Sequence, residues 1–276
     1  MILGCGYTGT RLARTLVSNP ELAGDIVVTR RDREAARVLG LELGVRGVPA
    51  ELANLGALAA APGSIVVCTA PPGADPAREI ANVMQAARGA AKLIYLSSTG
   101  VYGPGGGAVV DEAWPIAPIT ASGRARAEAE AALAGSAVPW VALRAAGIYG
   151  PGRGLVERMR AGTYRVVGDG TSHVARIHVV DLVAAILAAA GSSVTGAVNA
   201  ADDDPAPIGA VADAVAERLG LPPPPRVPVA AVPPEVAGML TADRRISNRR
   251  LRDELGVALR YPSWRDALED ELAAGS

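Results

Sequence analysis

Phenylalanine is absent from this chain of 276 residues, and the aromatic share, carried by six tyrosines and three tryptophans, is 3%. The core must therefore be assembled from Val, Leu, Ile and Ala. Cysteine is nearly absent too. Cys5 and Cys68 are too few for a disulfide framework and lack the companions that a metal site needs, so no metal is expected and both read as small buried thiols. Only two histidines, His173 and His178, are present. The net charge of -1 excludes strong overall attraction to a polyanion or an acidic membrane. A local basic cluster, Arg244-Arg245 with Arg249-Arg250 and Arg252, reads as a solvated helix face. No apolar run is long enough to span a bilayer and no signal-peptide pattern precedes the first motif. The expectations are a cytoplasmic location and a small-molecule partner, with no nucleic acid and no membrane.

What is present begins at the fourth residue. The run Gly4-Cys5-Gly6-Tyr7-Thr8-Gly9 lies between the apolar stub Met1-Ile2-Leu3 and a helical stretch from Thr10 to Ser18. This order suits a dinucleotide phosphate. The first glycine permits a tight strand-to-helix turn, the second lets backbone approach a pyrophosphate, and the third lets helix and strand pack closely. Helix-end amides then face the anion. A lone run of this kind also fits a glycine-rich turn with no ligand. Cys5, inside the run, is expected to bring its thiol near bound phosphate, so that alkylation would block cofactor binding.

Continuous apolar runs at residues 25–29, 44–48, 64–69, 92–97 and 140–144 alternate with alanine-rich helical stretches. Such runs suit strands buried on both faces, hence a doubly wound parallel α/β sheet of the Rossmann type. Met1-Ile2-Leu3 is short for a central strand, which raises the expectation that further upstream residues would add stability. Beyond Gly150 the pattern loosens, with Pro222 to Pro225 as a stiff connector. Residues 177–180 and 197–199 read as late strands, with a helix from 182 to 190 capped by Asp181. The expected organisation is a dinucleotide-binding domain over 1–150, joined by late strands from about 171–200, and a smaller interleaved lobe over 151–276.

The second strand should end in an acidic residue if NAD is selected, since a carboxylate holds the ribose 2'-hydroxyl. Here it ends Thr29-Arg30-Arg31, and guanidinium groups suit a 2'-phosphate, favouring NADP. Asp32 follows and would restore NAD if it faced the ribose.

Two later segments, Ser97-Ser98-Thr99-Gly100-Val101-Tyr102-Gly103 and Leu143-Arg144-Ala145-Ala146-Gly147-Ile148-Tyr149-Gly150-Pro151-Gly152, precede Ile177-His178-Val179-Val180-Asp181-Leu182. With the glycine run, these segments make the chain resemble the extended short-chain dehydrogenase/reductases, the NAD-dependent epimerase/dehydratase group. The resemblance implies a cofactor platform built from Gly4, Gly6, Tyr7, Thr8 and Gly9, the arginines Arg30 and Arg31, and Thr69-Ala70-Pro71 beside adenine or ribose. It also implies that Ser98 polarises the reacting oxygen, and it makes a homodimer plausible.

The family carries a catalytic tyrosine and, four residues on, a lysine. This chain has Ser122 and Arg126 in those places. The spacing keeps both on one helical face. A serine hydroxyl titrates too far above neutral pH to act as a tyrosine does, whereas Arg126 keeps the charge and a fork of donors for ribose. Tyr102 and Tyr149, in loops after strands, are candidate substitutes for proton transfer. His178 reads as a structural residue. The arginine that grips a sugar-nucleotide diphosphate in many members is replaced by Val174, with Arg176 two residues along on the same strand face. The expectation is an NADP(H)-dependent oxidoreductase transferring hydride to or from a small carbonyl or hydroxyl compound. A catalytically silent NADP(H) sensor and a nucleotide-sugar epimerase or dehydratase are the alternatives.

Overall fold

The structure is a computed structural model and describes residues 1–22 and 24–274. Its first half alternates strand and helix: β1 (Ile2–Leu3), α1 (Tyr7–Ser18), β2 (Val27–Arg30), α2 (Arg33–Leu43), β3 (Arg46–Pro49), β4 (Ile65–Cys68), α3 (Pro76–Ala86), β5 (Lys92–Ser98), α4 (Ala121–Leu133) and β6 (Trp140–Ala145). There follow α5 (Leu155–Arg160), α6 (Val179–Gly191), β7 (Gly196–Ala200), α7 (Ile208–Arg218), α8 (Pro234–Leu240), α9 (Arg249–Asp253) and α10 (Trp264–Ala274). The seven labelled strands form one sheet in the order β3-β2-β1-β4-β5-β6-β7, with β1 to β5 paired in parallel. The order reverses at β1. That switch point, at the carboxyl ends of β1 and β4, is where such sheets take ligands.

β1 is only two residues long, but it pairs with a strand on each side. Ile2 is in register with Val28 and Val67, and Leu3 with Cys68. Helix boundaries follow local chemistry. The Asp32 carboxylate caps α2 by accepting from Ala35 N at 2.7 Å, and Gly44 ends that helix with φ +64. The strand expected at 44–48 therefore starts only at Arg46. Asp75 caps α3, with Pro76 in the first turn.

The chain forms two compact units, one of Met1–Ser98, Ala125–Leu143 and Val183–Val198, the other of Thr99–Arg124, Arg144–Leu182 and Asn199–Ser276. The first packs Val66, Cys68, Ile80, Val83, Leu93, Tyr95 and Leu133 into a core of aliphatic side chains around one tyrosine. Each such aliphatic residue contributes roughly 1.5–3 kcal/mol on burial. The second packs Met159, Tyr164, Val166, Val211, Trp264 and Leu268 together.

Several expectations for the later chain need correction. The strand expected over 177–180 stops at His178, because α6 already begins at Val179. Asp181 is consequently inside the first turn of α6 rather than its cap. Its buried carboxylate accepts instead from Arg260 N at 2.7 Å and Tyr261 N at 3.0 Å, tying down a distant loop. The basic cluster is not simply solvated. Arg244 donates to Tyr102 O at 2.6 Å and Arg245 to Gly107 O at 2.6 Å, while Arg250 pairs with Glu254 and Arg252 with Asp203.

Candidate functional site

Each glycine of the opening turn has a distinct reason to be glycine. Gly4 has φ +84, and a Cβ there would lie 2.5 Å from Ala70 Cβ. A Cβ on Gly9 would lie 2.6 Å from Thr69 Oγ1, so the third glycine permits close packing of α1 on the strands. Gly6 differs, since a Cβ there would meet nothing within 4 Å. No internal contact demands glycine at that position, as expected where the backbone must be approached from outside. α1 also starts without a side-chain cap and has no acidic residue in its first turn. Its amide donors and positive end thus face a space suited to an anion.

The turn is fastened from three sides. Gly4 N donates to Thr29 Oγ1 at 2.9 Å, and the Thr69 hydroxyl donates to Gly4 O at 2.7 Å. Thr69 N and Ala70 N donate to Leu3 O at 2.8 and 3.2 Å, which brings Thr69-Ala70-Pro71 against the turn. Arg30, half-buried, donates from Nε to Cys5 O at 2.9 Å and from Nη2 to Thr10 Oγ1 at 3.2 Å. Tyr7 lies under the Arg11 guanidinium, 3.6 Å from its ring centroid, and the buried Thr8 follows in α1. Arg31 is exposed beyond the end of β2. The carboxylate of Asp32 is engaged in capping α2. The Cys5 expectation is overturned. The thiol is 1% exposed, points to Ile2 O at 3.9 Å, and is pushed up to about 11 by burial, so it is a protonated core group.

The end of β5 and the helix α4 carry the other candidates. Ser98 ends β5, partly exposed. Arg126 donates from Nη1 to Leu96 O at 2.6 Å, placing its charge against the β5 backbone. That charge lies close enough to the Cys68 thiol and the buried Tyr95 hydroxyl to oppose the upward push of burial on both. One turn further on, buried Glu130 accepts a hydrogen bond from the Ser97 hydroxyl. This pair fastens α4 to β5.

Ser122 is exposed at the start of α4, and its hydroxyl donates to Glu235 of α8. The same carboxylate accepts from Ala121 N at 2.9 Å and Ser122 N at 3.2 Å, acting as a remote helix cap. The Ser122 hydroxyl holds Glu235 below the usual carboxylate range. Gly123 beside it is required by close approach, since a side chain would collide with Gly100 O. Nothing in the sequence singles out Glu235, because the link spans more than a hundred residues.

The two tyrosines are built into the second unit. Tyr102 is fully buried, donates to Asn199 Oδ1 at 2.7 Å and accepts from Arg144 Nη1 at 2.8 Å. Burial pushes its hydroxyl up to about 12 despite the adjacent Arg144. Tyr149 packs edge-on to His178 at 5.2 Å between ring centroids. The His178 ring is buried, also packs against Tyr261, and accepts from Val180 N at 3.3 Å. His173 pairs with Asp243 at 2.8 Å. No cluster of three or more metal-ligating side chains occurs among the described residues. Among those residues, no helix is long and apolar enough to cross a membrane.

Comparison with known proteins places these features in a family. Residues 1–201 match the model of the NAD dependent epimerase/dehydratase family. A 3-diazoavenalumate denitrifying reductase of a Streptomyces species is 34% identical over 210 residues, covering 69% of this chain and 69% of that protein. A protein of unknown function from Silicibacter pomeroyi has a similar structure, with TM-score 0.85 and 31% identity, over 99% of this chain and 97% of that one. The human epimerase family protein SDR39U1, solved with NADPH, is 18% identical with TM-score 0.79, over 98% and 97% of the two chains. The chain belongs to the NAD dependent epimerase/dehydratase family.

Proposed function

We propose that this protein is an NADP(H)-dependent reductase that transfers hydride to or from a small carbonyl or hydroxyl compound. The observation that carries the reading is the open backbone at Gly6 beside an uncapped helix, with arginines rather than a free carboxylate at the end of β2. Gly4, Gly6 and Gly9, with the first-turn residues Tyr7 and Thr8, hold the pyrophosphate. Arg30, fastened over the turn, and Arg31 face the 2'-phosphate, and Thr69-Ala70-Pro71 border the adenosine. Bound coenzyme supplies or accepts the hydride. Arg126 keeps donors for ribose and a fixed charge that cannot itself release a proton. Ser98 polarises the reacting oxygen. The reductase relative supports this choice over a sugar-nucleotide epimerase, as does valine at position 174.

Tyr102 takes no proton-transfer role in this scheme, because both lone-pair and proton partners of its hydroxyl are buried protein groups. The same observation favours a second reading, a coenzyme-binding sensor without turnover. Fluorescence titration with NADPH and NADH, together with nicotinamide absorbance over a carbonyl panel, tests both. Tight NADPH binding with turnover lost in Ser98→Ala supports the reductase. Tight binding with no turnover across the panel supports the sensor, and absence of binding defeats both.

A further inference from the structure

Within the first unit, the turn between β1 and α1 is joined to the end of β2 by a closed set of bonds that meets at one side chain. Arg30 donates from Nε to Cys5 O at 2.9 Å and from Nη2 to Thr10 Oγ1 at 3.2 Å, while the Thr10 hydroxyl donates to the same Cys5 O at 3.0 Å. Cys5 O thus accepts twice, and Thr10 Oγ1 gives one bond and receives one. The neighbouring main chain hangs on the same strand end, with Cys5 N donating to Thr29 O at 2.7 Å and Gly4 N to Thr29 Oγ1 at 2.9 Å. Gly6 N closes on Gly4 O at 2.7 Å, and Thr10 N on Gly6 O at 3.0 Å. Arg31, the next residue, is exposed and stands outside this set of bonds.

Bracing alone does not call for a guanidinium. A neutral amide side chain could donate to a carbonyl and a hydroxyl without setting a full charge on the turn. A guanidinium carries five N–H donors in one rigid plane. Arg30 spends two of them on Cys5 O and Thr10 Oγ1, which leaves three on a half-buried group. An anion taken by those three is gripped by the same plane that grips the turn. The rotamer freedom of the long side chain is lost once, so whichever set of bonds forms first orders the arm for the other.

We propose that Arg30 is a positioning residue that couples the 2'-phosphate of the coenzyme to the order of the pyrophosphate turn, so that an anion at the end of β2 tightens the backbone from Gly4 to Thr10. The proposal rests on the coenzyme site of the reductase reading and deepens it. Preference for NADPH over NADH then has two unlike sources. Arg31 attracts the 2'-phosphate by charge, whereas Arg30 also passes its presence to the turn as a coupling free energy between two places on one ligand.

The probe is 2'-AMP, which carries the 2'-phosphate and nothing at the pyrophosphate position, with adenosine as the control that lacks phosphate. Amide hydrogen exchange at Cys5, Gly6 and Thr10 is followed in the full chain, with 2'-AMP held at a saturating level fixed by calorimetry and adenosine at the same concentration. Bound 2'-AMP is expected to slow exchange at these amides at least about fivefold, and adenosine to leave it unchanged. Thr10→Val cuts the Nη2 link and keeps the charge of Arg30, so it should still bind 2'-AMP while losing most of the slowing. Arg30→Lys keeps a charge without the fork and should lose the slowing entirely, which provides a second variant should the first misfold. Unchanged exchange in the wild type with 2'-AMP bound, equal slowing in both variants, or a slowing shared by the amides of α10 would overturn the coupling. Failure of 2'-AMP to bind at all, read by calorimetry, removes the 2'-phosphate site itself and the coupling with it, so the two failures are told apart.

Discussion

The opening turn and the start of α4 solve different problems in different materials. At the turn, the proposed binding capacity lies in main chain: three glycines, an uncapped helix and two strand ends that brace them through Arg30 and Thr69. At α4, the resemblance would put the family's chemistry in two side chains, at the positions held here by Ser122 and Arg126. A backbone cradle tolerates little substitution: Gly4 and Gly9 answer to steric limits inside the fold, and Gly6 to the approach of a ligand from outside. A catalytic side chain can be replaced while a main-chain cradle stays in place, so coenzyme binding can persist after a reaction has changed or ceased.

That contrast can be broken most forcefully within the turn itself. Gly4→Ala forces a Cβ against Ala70 at a left-handed φ and is expected to cost about 2–4 kcal/mol of stability, read by urea denaturation, with NADPH affinity lost as well. Gly6→Val should leave the melting temperature nearly unchanged while lowering NADPH affinity at least about tenfold. If Gly6→Val unfolds the protein instead, the open space assigned to the ligand is doing structural duty. Arg31→Ala should weaken NADPH about tenfold and leave NADH unaffected, measured by fluorescence titration.

Two smaller effects sharpen the other side. Tyr102→Phe removes the link between Arg144 and Asn199 and is expected to cost about 1–2 kcal/mol with coenzyme affinity unchanged, as befits a framework residue. The smallest effect concerns pH. Glu235 has its folded pKa depressed by Ser122, so its contribution is present above the unfolded carboxylate pKa and fades as pH falls through the lower folded value. Ser122→Ala should slightly flatten the acid limb of the stability profile and leave the neutral region alone. The effect is modest because the carboxylate is exposed.

The sheet was legible because strands buried on both faces leave continuous apolar runs, and residues 64–69 and 92–97 contain or meet β4 and β5 almost fully. The opening turn was legible for the related reason that its requirements are local in sequence. Asp181 was misread because an acidic residue before an apolar run resembles a cap, whereas its partners, Arg260 and Tyr261, lie far along the chain. Glu235 is illegible for the same reason: folding brings Ala121 and Ser122 to it from a segment that shares no pattern with its own. Cys5 was placed in the correct loop but assigned the wrong side of it, since a turn's sequence does not show which residue points inward.

The inward placement of Cys5 bears on how the protein meets oxidants. Sulfur that stays protonated and shielded under the coenzyme cradle offers peroxide or an alkylating reagent no nucleophile while the cradle is closed. Labelling of that atom would therefore report the opening of the N-terminal turn, and saturating dinucleotide would slow it by keeping the turn shut.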